Sequence, residues 1–155
     1  MTIFLVRHAK AGSRSQFDGA DWLRPLTPPG QQQARGLLPL FKRAKFEHII
    51  SSPYVRCMET VVPLASHHQL AVEPHDALSE GASITQVMEL VEQHIHTGVV
   101  LCSHGDIIPM TLEHFATLGV KIDAIPRCEK GSTWVIDGAL NRSAKVEYWS
   151  PPLDS

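Results

Sequence analysis

Met1-Thr2-Ile3-Phe4-Leu5-Val6-Arg7-His8-Ala9-Lys10 carries an apolar run straight into an arginine-histidine pair and a polar loop. Ile3 to Val6 is too short to cross a membrane. Its β-branched residues predict a buried strand whose carboxyl end falls at Arg7 and His8. Ligands of open α/β sheets bind at the carboxyl ends of strands. The opening decade therefore predicts a sheet and also the edge of it where chemistry belongs.

The same alternation of apolar runs and amphipathic stretches continues outward. Thr27-Pro28-Pro29 predicts a helix through Leu40, with Thr27 as N-cap and Pro28 at the first helical position. His48 to Ser51 reads as a short strand. Ser52-Pro53 then starts a helix to about Ala65 by the same device, weakened near its end by Pro63. Ala71 to Glu73 is an edge-strand candidate. Ser83-Ile84-Thr85-Gln86 fits a capping box, and the helix it launches places Ile84, Val87, Met88 and Val91 on an apolar face before Gly98. Val99 to Cys102 is the most apolar strand, and it runs into Ser103-His104-Gly105-Asp106, which opens a helix to Leu118. Thr133 to Ile136 and Ala144 to Trp149 are two further strands around the turn residues Asp137-Gly138. The expected fold is α/β, a three-layer sandwich whose mostly parallel central sheet of about five or six strands has helices on both faces. Residues 1–150 are expected to form a single domain, with 151–155 as a frayed C-terminal tail.

Composition narrows the function classes. The net charge is -2 with histidines neutral, and no Lys/Arg stripe is interleaved with aromatics, so a nucleic-acid partner is not expected. The amino terminus shows no basic segment followed by a long apolar stretch, so the expectation is a cytoplasmic protein without a membrane partner. Three cysteines, Cys57, Cys102 and Cys128, stand at wide spacings that fit neither a disulfide framework nor a zinc motif. They read as small buried hydrophobes. His94 and His96 lie two apart and share no helix face, while the adjacent His67 and His68 are ill-placed to chelate. All four read as surface histidines, and no metal site is expected.

Arg7 and His8 follow one strand, and His104 follows another. A parallel arrangement would bring both imidazoles to one edge of the sheet. Arg56 stands in the first turn of a helix that begins at a third strand end, where the helix dipole disfavours a cation unless an anion binds. Together these four residues would make a compact cationic pocket suited to phosphate, since the arginine fork contacts phosphoryl oxygens in pairs and stays charged. An imidazole nitrogen can attack phosphorus in line and split one displacement into two.

Leu5-Val6-Arg7-His8-Ala9 resembles the Arg-His-Gly signature of the histidine phosphatase superfamily, which also includes the cofactor-dependent phosphoglycerate mutases. The resemblance extends through Leu26-Thr27 with Gly30, Gln33 and Ala34, then Ser51-Ser52-Pro53 with Arg56 and Thr60. It continues in Leu78-Ser79-Glu80, Ser103-His104-Gly105 and Lys130-Gly131-Ser132. The short chain is most similar to the small phosphohistidine phosphatase branch. The resemblance implies that His8 is a nucleophile that becomes phosphorylated, with Arg7, Arg56, His104 and Gly105 around the phosphoryl group. Glu80 matches the acid that protonates the leaving oxygen, a loop carboxylate in solvent being the alternative reading. No cofactor is implied, and the partner is a phosphorylated protein or a small phosphorylated metabolite.

The implied activity is a metal-independent phosphatase, acting on a phosphorylated side chain such as phosphohistidine or on a small phosphomonoester. The alternatives are a non-catalytic phosphate-binding or interaction module and a phosphoglycerate mutase-type phosphotransferase. Ala9 replaces the commoner glycine and would be strained at positive φ. Lys10, Ser13 and Arg14 are candidates for added phosphate or substrate contacts, solvated loop residues being the equal alternative, and Asp106 for complementing a helix dipole. Trp22 and Trp134 read as packing residues, substrate platforms being the alternative. Specificity is expected from the loops Ala11 to Arg24 and Glu80 to Ser83, and activity is expected to fall at acid pH because neighbouring cations lower the pKa of His8.

Overall fold

The computed structural model describes residues 1–152. Six strands form one sheet: β1 (Thr2–Arg7), β2 (His48–Ser51), β3 (Val72–Pro74), β4 (Val99–Ser103), β5 (Thr133–Asp137) and β6 (Lys145–Trp149). The order across the sheet is β3-β2-β4-β1-β5-β6. The first four strands run parallel, whereas β5 and β6 pair antiparallel. Strand β4 enters last among the parallel four yet lies between β1 and β2. That insertion sets Arg7 opposite Ser103 and makes the ends of β1 and β4 neighbours.

Strand alternation builds the two cores. Ile3, Leu5, Val99, Leu101, Trp134 and Ile136 face one side and pack with α3 (Ile84–Gln93) and α4 (Ile107–Thr117). Phe4, Val6, Val100, Cys102 and Val135 face the other and pack with α1 (Pro28–Leu40) and α2 (Val55–His68). The three-layer α/β sandwich predicted from the sequence is therefore the observed architecture, with six strands. Helix α1 starts as predicted, because Thr27 Oγ1 accepts from the Gly30 N–H at 3.2 Å. Helix α3 shows the full Ser83–Gln86 capping box.

Several boundaries differ for identifiable reasons. Helix α2 begins at Val55 rather than at Ser52-Pro53, since the Ser52 N–H still donates to the Cys102 carbonyl at 2.9 Å and keeps the chain on the sheet. It then runs through Pro63 to His68, where Gln69 closes it in the left-handed conformation. Asp106 flanks α4 but makes no side-chain cap; its carboxylate accepts from the Gly81 N–H at 2.9 Å. Pro151 and Pro152 are half-buried instead of frayed, and Pro152 lies so close to Gly36 that a Cβ there would meet it at 2.5 Å. The rest of the predicted tail, residues 153–155, lies outside the described residues.

Cys57 and Cys102 are buried as expected, while Cys128 is only half-buried. His67 and His96 are exposed, but His68 and His94 are half-buried, their rings against Phe46 at 4.6 Å and His48 at 4.8 Å. Trp134 packs in the core, whereas Trp22 is 52% exposed and is not a packing residue. Among the described residues, no helix is long and apolar enough to cross a membrane.

Candidate active site

At the carboxyl edge of the parallel strands lies a cavity of about 600 Å³, lined by Arg7, His8, Arg56, Glu80 and Gly105 together with the 11–14 loop, Arg24, Asp106 and Lys130. His8 continues the ladder beyond β1, its N–H donating to the Ser103 carbonyl at 3.0 Å. Its ring Nδ1 lies 2.8 Å from the Ala9 carbonyl, which can only accept, so Nδ1 carries the proton and Nε2 the lone pair. Burial is the main reason that the His8 pKa is lowered to about 3; the Ala9 hydrogen bond opposes this, and His104, Arg56 and Arg7 reinforce it. Cationic neighbours, named as the cause by the sequence reading, are thus secondary to desolvation.

The loop around His8 is held from several sides. The Ala9 N–H donates to Thr60 Oγ1 at 2.9 Å, and the Thr60 hydroxyl donates to the Arg56 carbonyl at 2.6 Å. The Lys10 N–H donates to Gln33 Oε1 at 2.9 Å, and its carbonyl accepts from the Thr27 N–H at 3.0 Å. Gly30 permits that approach, because a Cβ there would sit 1.9 Å from the Lys10 carbonyl oxygen. Gln69 is the non-glycine residue with positive φ among those described, so Ala9 is not strained.

Arg7 donates through Nη1 to the Cys128 carbonyl at 2.6 Å. Its guanidinium crosses directly over Gly105, where a Cβ would lie 2.7 Å from Nη2. Arg56 is fully buried and donates to the Asp21 carbonyl at 3.0 Å, to Asp21 Oδ2 at 3.2 Å and to Glu80 Oε1 at 2.8 Å. The Nε–H groups of Arg7 and Arg56 are buried with no acceptor among the described residues. Two guanidinium edges with donors to spare are what an incoming oxyanion requires.

His104 sits deeper than its partners. Its ring lies 5.5 Å from that of His8 and is covered by Tyr54 at 4.6 Å. Nε2 pairs with Ser52 Oγ at 2.8 Å, and Cys57 Sγ lies 3.5 Å from the same nitrogen. Glu80 Oε1 stands 3.5 Å from His104 Nδ1. All the residues predicted for the site therefore converge, although His104 is fully buried and does not line the cavity.

Of the added candidates, Ser13 and Arg14 line the cavity, and Arg14 pairs with Glu80 at 3.1 Å. Lys10 instead borders a neighbouring cleft. Sequence reasoning missed Asp21 and Arg24, which pair at 3.0 Å, and read Ser52 only as a helix start within the family motif and Cys57 only as a small buried hydrophobe. Burial pushes the Asp21 carboxyl up, but Arg24, Arg56 and Arg14 outweigh it and hold the group below its usual range. Their local signal is only an acid and an arginine three apart, in the short helical turn at Asp21–Leu23 and at its C-cap. Among the described residues, no group of three or more His, Cys, Asp or Glu side chains could hold a metal ion.

A neutral imidazole beside Arg7 and the buried Arg56, at the carboxyl edge of this sheet, makes a pocket suited to an oxyanion. Residues 3–85 match the histidine phosphatase superfamily (branch 1), and the chain belongs to that superfamily. It is similar to the 8-oxo-(d)GTP phosphatase of Mycolicibacterium smegmatis, at 29% identity over 97% of this chain and 48% of that protein. The chain thus spans about half the length of that curated relative. Its fold is similar to that of the protein histidine phosphatase SixA complexed with tungstate, with a TM-score of 0.79 and 20% identity over 98% of this chain and 97% of the other. It is also similar to the α-ribazole phosphatase of Shigella flexneri, with a TM-score of 0.68 and 14% identity over 100% and 96% of the two chains.

Proposed function

We propose that this protein hydrolyses phosphate from a phosphorylated side chain, phosphohistidine included, or from a small phosphomonoester, through a phosphohistidine formed on His8. The observation that carries this reading is the His8 Nδ1 to Ala9 carbonyl hydrogen bond, which leaves Nε2 with its lone pair beside Arg7 and Arg56. Nε2 attacks phosphorus, the new N–P bond forms, and the bond to the leaving atom breaks with its electron pair on that atom. Arg7 and Arg56 carry the charge on the equatorial oxygens, with His104 beneath.

Glu80 protonates the leaving atom and, as a carboxylate, takes a proton from the water that attacks the phosphohistidine. The N–P bond then breaks and its electrons return to Nε2. Glu80 Oε1 spans Arg56 and His104, so an arriving phosphoryl group competes with that carboxylate for the same donors. The SixA likeness supports the fold for such chemistry, and the nucleotide-phosphatase relative supports phosphate-ester or anhydride substrates.

Incubation with a labelled phosphomonoester in excess chelator tests the reading. Acid-labile, base-stable label on the protein is expected. Turnover without such label removes His8 as nucleophile, and phosphate binding without turnover makes the protein a phosphate-binding module.

A further inference from the structure

The catalytic cavity is lined by five cations, Arg7, Arg14, Arg24, Arg56 and Lys130, against the carboxylates of Glu80 and Asp106. Four of the five are engaged. Arg7 bonds the Cys128 carbonyl, Arg24 pairs with Asp21, and Arg14 and Arg56 share Asp21 and Glu80. Among the described residues, Lys130 alone of the five has no hydrogen-bond or ion-pair partner for its side chain. It is surrounded by like charge, since burial first, then Arg7, Arg24, Arg56 and Lys10, all act to lower its pKa. An ammonium in such a field is disfavoured until an anion joins it.

The backbone beneath Lys130 is firmly placed. Gly131, at φ 85, donates its N–H to the carbonyls of both Arg7 and His8 at 3.1 Å, and the Gln33 amide donates to the Lys130 carbonyl at 3.4 Å. The Lys130 backbone is therefore tied to the strand end that carries His8. Its side chain also lines an adjacent cleft of about 500 Å³ with Lys10, Gln33, Glu129 and Pro152. It forms the wall common to the two spaces.

We propose that Lys130 is a second anion subsite, binding a phosphate or carboxylate on the leaving group of a substrate whose scissile phosphoryl group sits at His8. This rests on the catalytic reading above, in which Arg7, Arg56 and His104 already serve the oxygens of the transferred group. The substrate class is then a phosphoanhydride such as a nucleoside diphosphate, or a phosphorylated small carboxylic acid. The shared chemistry is a second negative charge near the reacting phosphorus.

Wild type, Lys130→Ala and Lys130→Arg are compared on p-nitrophenyl phosphate, a nucleoside diphosphate and 3-phosphoglycerate. In Lys130→Ala, the ratio of kcat/KM for the doubly anionic substrates over the aryl phosphate is expected to fall about tenfold, as for one lost charge-assisted hydrogen bond, chiefly through KM. Lys130→Arg restores the ratio. Loss for the diphosphate alone assigns the subsite to phosphate, and loss for phosphoglycerate alone assigns it to carboxylate. An unchanged ratio overturns the proposal. If no substrate is turned over, the catalytic reading has failed and calorimetry decides separately. Wild type binding pyrophosphate more tightly than orthophosphate, with the preference lost in Lys130→Ala, supports the subsite; a preference retained in the variant, or absent from wild type, overturns it.

Discussion

Strands β1 and β4 end alike, each an apolar run followed by a polar residue and a histidine, and they lie side by side with Arg7 opposite Ser103. Their histidines nevertheless meet different surroundings. His8 lines the cavity with Nδ1 tied to a backbone carbonyl and Nε2 unencumbered. His104 is buried below it, with Nε2 against Ser52 and Cys57 and Nδ1 toward Glu80. One pattern has produced a group free to react and a group held in place. A strand end delivers an imidazole to the edge of a sheet, but the partners of its two nitrogens decide whether it can act as a nucleophile.

Removing each ring in turn is expected to have the largest effect. His8→Ala is expected to abolish turnover and protein-bound phosphate. His104→Ala is expected to retain the label while lowering kcat by about 10² to 10³, as for loss of one transition-state donor. Equal loss of label in both variants, by acid-labile phosphate assay on protein shown to be folded by circular dichroism, would make the two histidines equivalent and undo the contrast.

A smaller change sharpens it. Ser52→Ala removes the hydroxyl on His104 Nε2 without touching His8, and a loss of about tenfold in kcat with KM little changed is expected. A variant with wild-type kinetics would show that His104 needs no such anchor.

A different measurement, stability against pH, also separates the two histidines. With a folded pKa of about 3 against 6.5 for the free side chain, His8 stays unprotonated in the native protein while the unfolded chain takes up a proton. Stability is therefore lost as pH falls from 6.5 toward about 3, at up to about 1.4 kcal/mol per pH unit from this residue. Urea unfolding of wild type and His8→Asn across that range should show the shallower slope in the variant. For the same reason, the acid loss of activity expected from the sequence is not set by His8 until the pH nears about 3 in the unliganded site.

Much of the site was legible because its parts follow local signals. Arg7, His8 and His104 stand directly after apolar runs, and Arg56 occupies an early helical position where a cation has no local reason to be. Asp21 and Arg24 carried no comparable mark, since their importance comes from Arg56, reached across 35 residues of chain. Trp22 departs from the packing role expected of an indole because the short turn at Asp21–Leu23 holds no buried residue. Helix α2 was placed too early because Ser-Pro is a good local start, while the sheet retained Ser52 for longer.

The alternation of strands and helices, the three-layer class and the placement of Arg7, His8, Arg56 and His104 at strand ends or just beyond them are legible from the chain alone. Periodicity, capping residues and charge are properties of short stretches, so they can be read without the fold. Only the tertiary structure decided which imidazole nitrogen is free, that His104 is enclosed by Ser52, Cys57 and Tyr54, and that Glu80 and Asp21 share Arg56. Those outcomes depend on desolvation and on hydrogen bonds between residues far apart in the chain. They come into being when β4 inserts beside β1 and brings the two strand ends together.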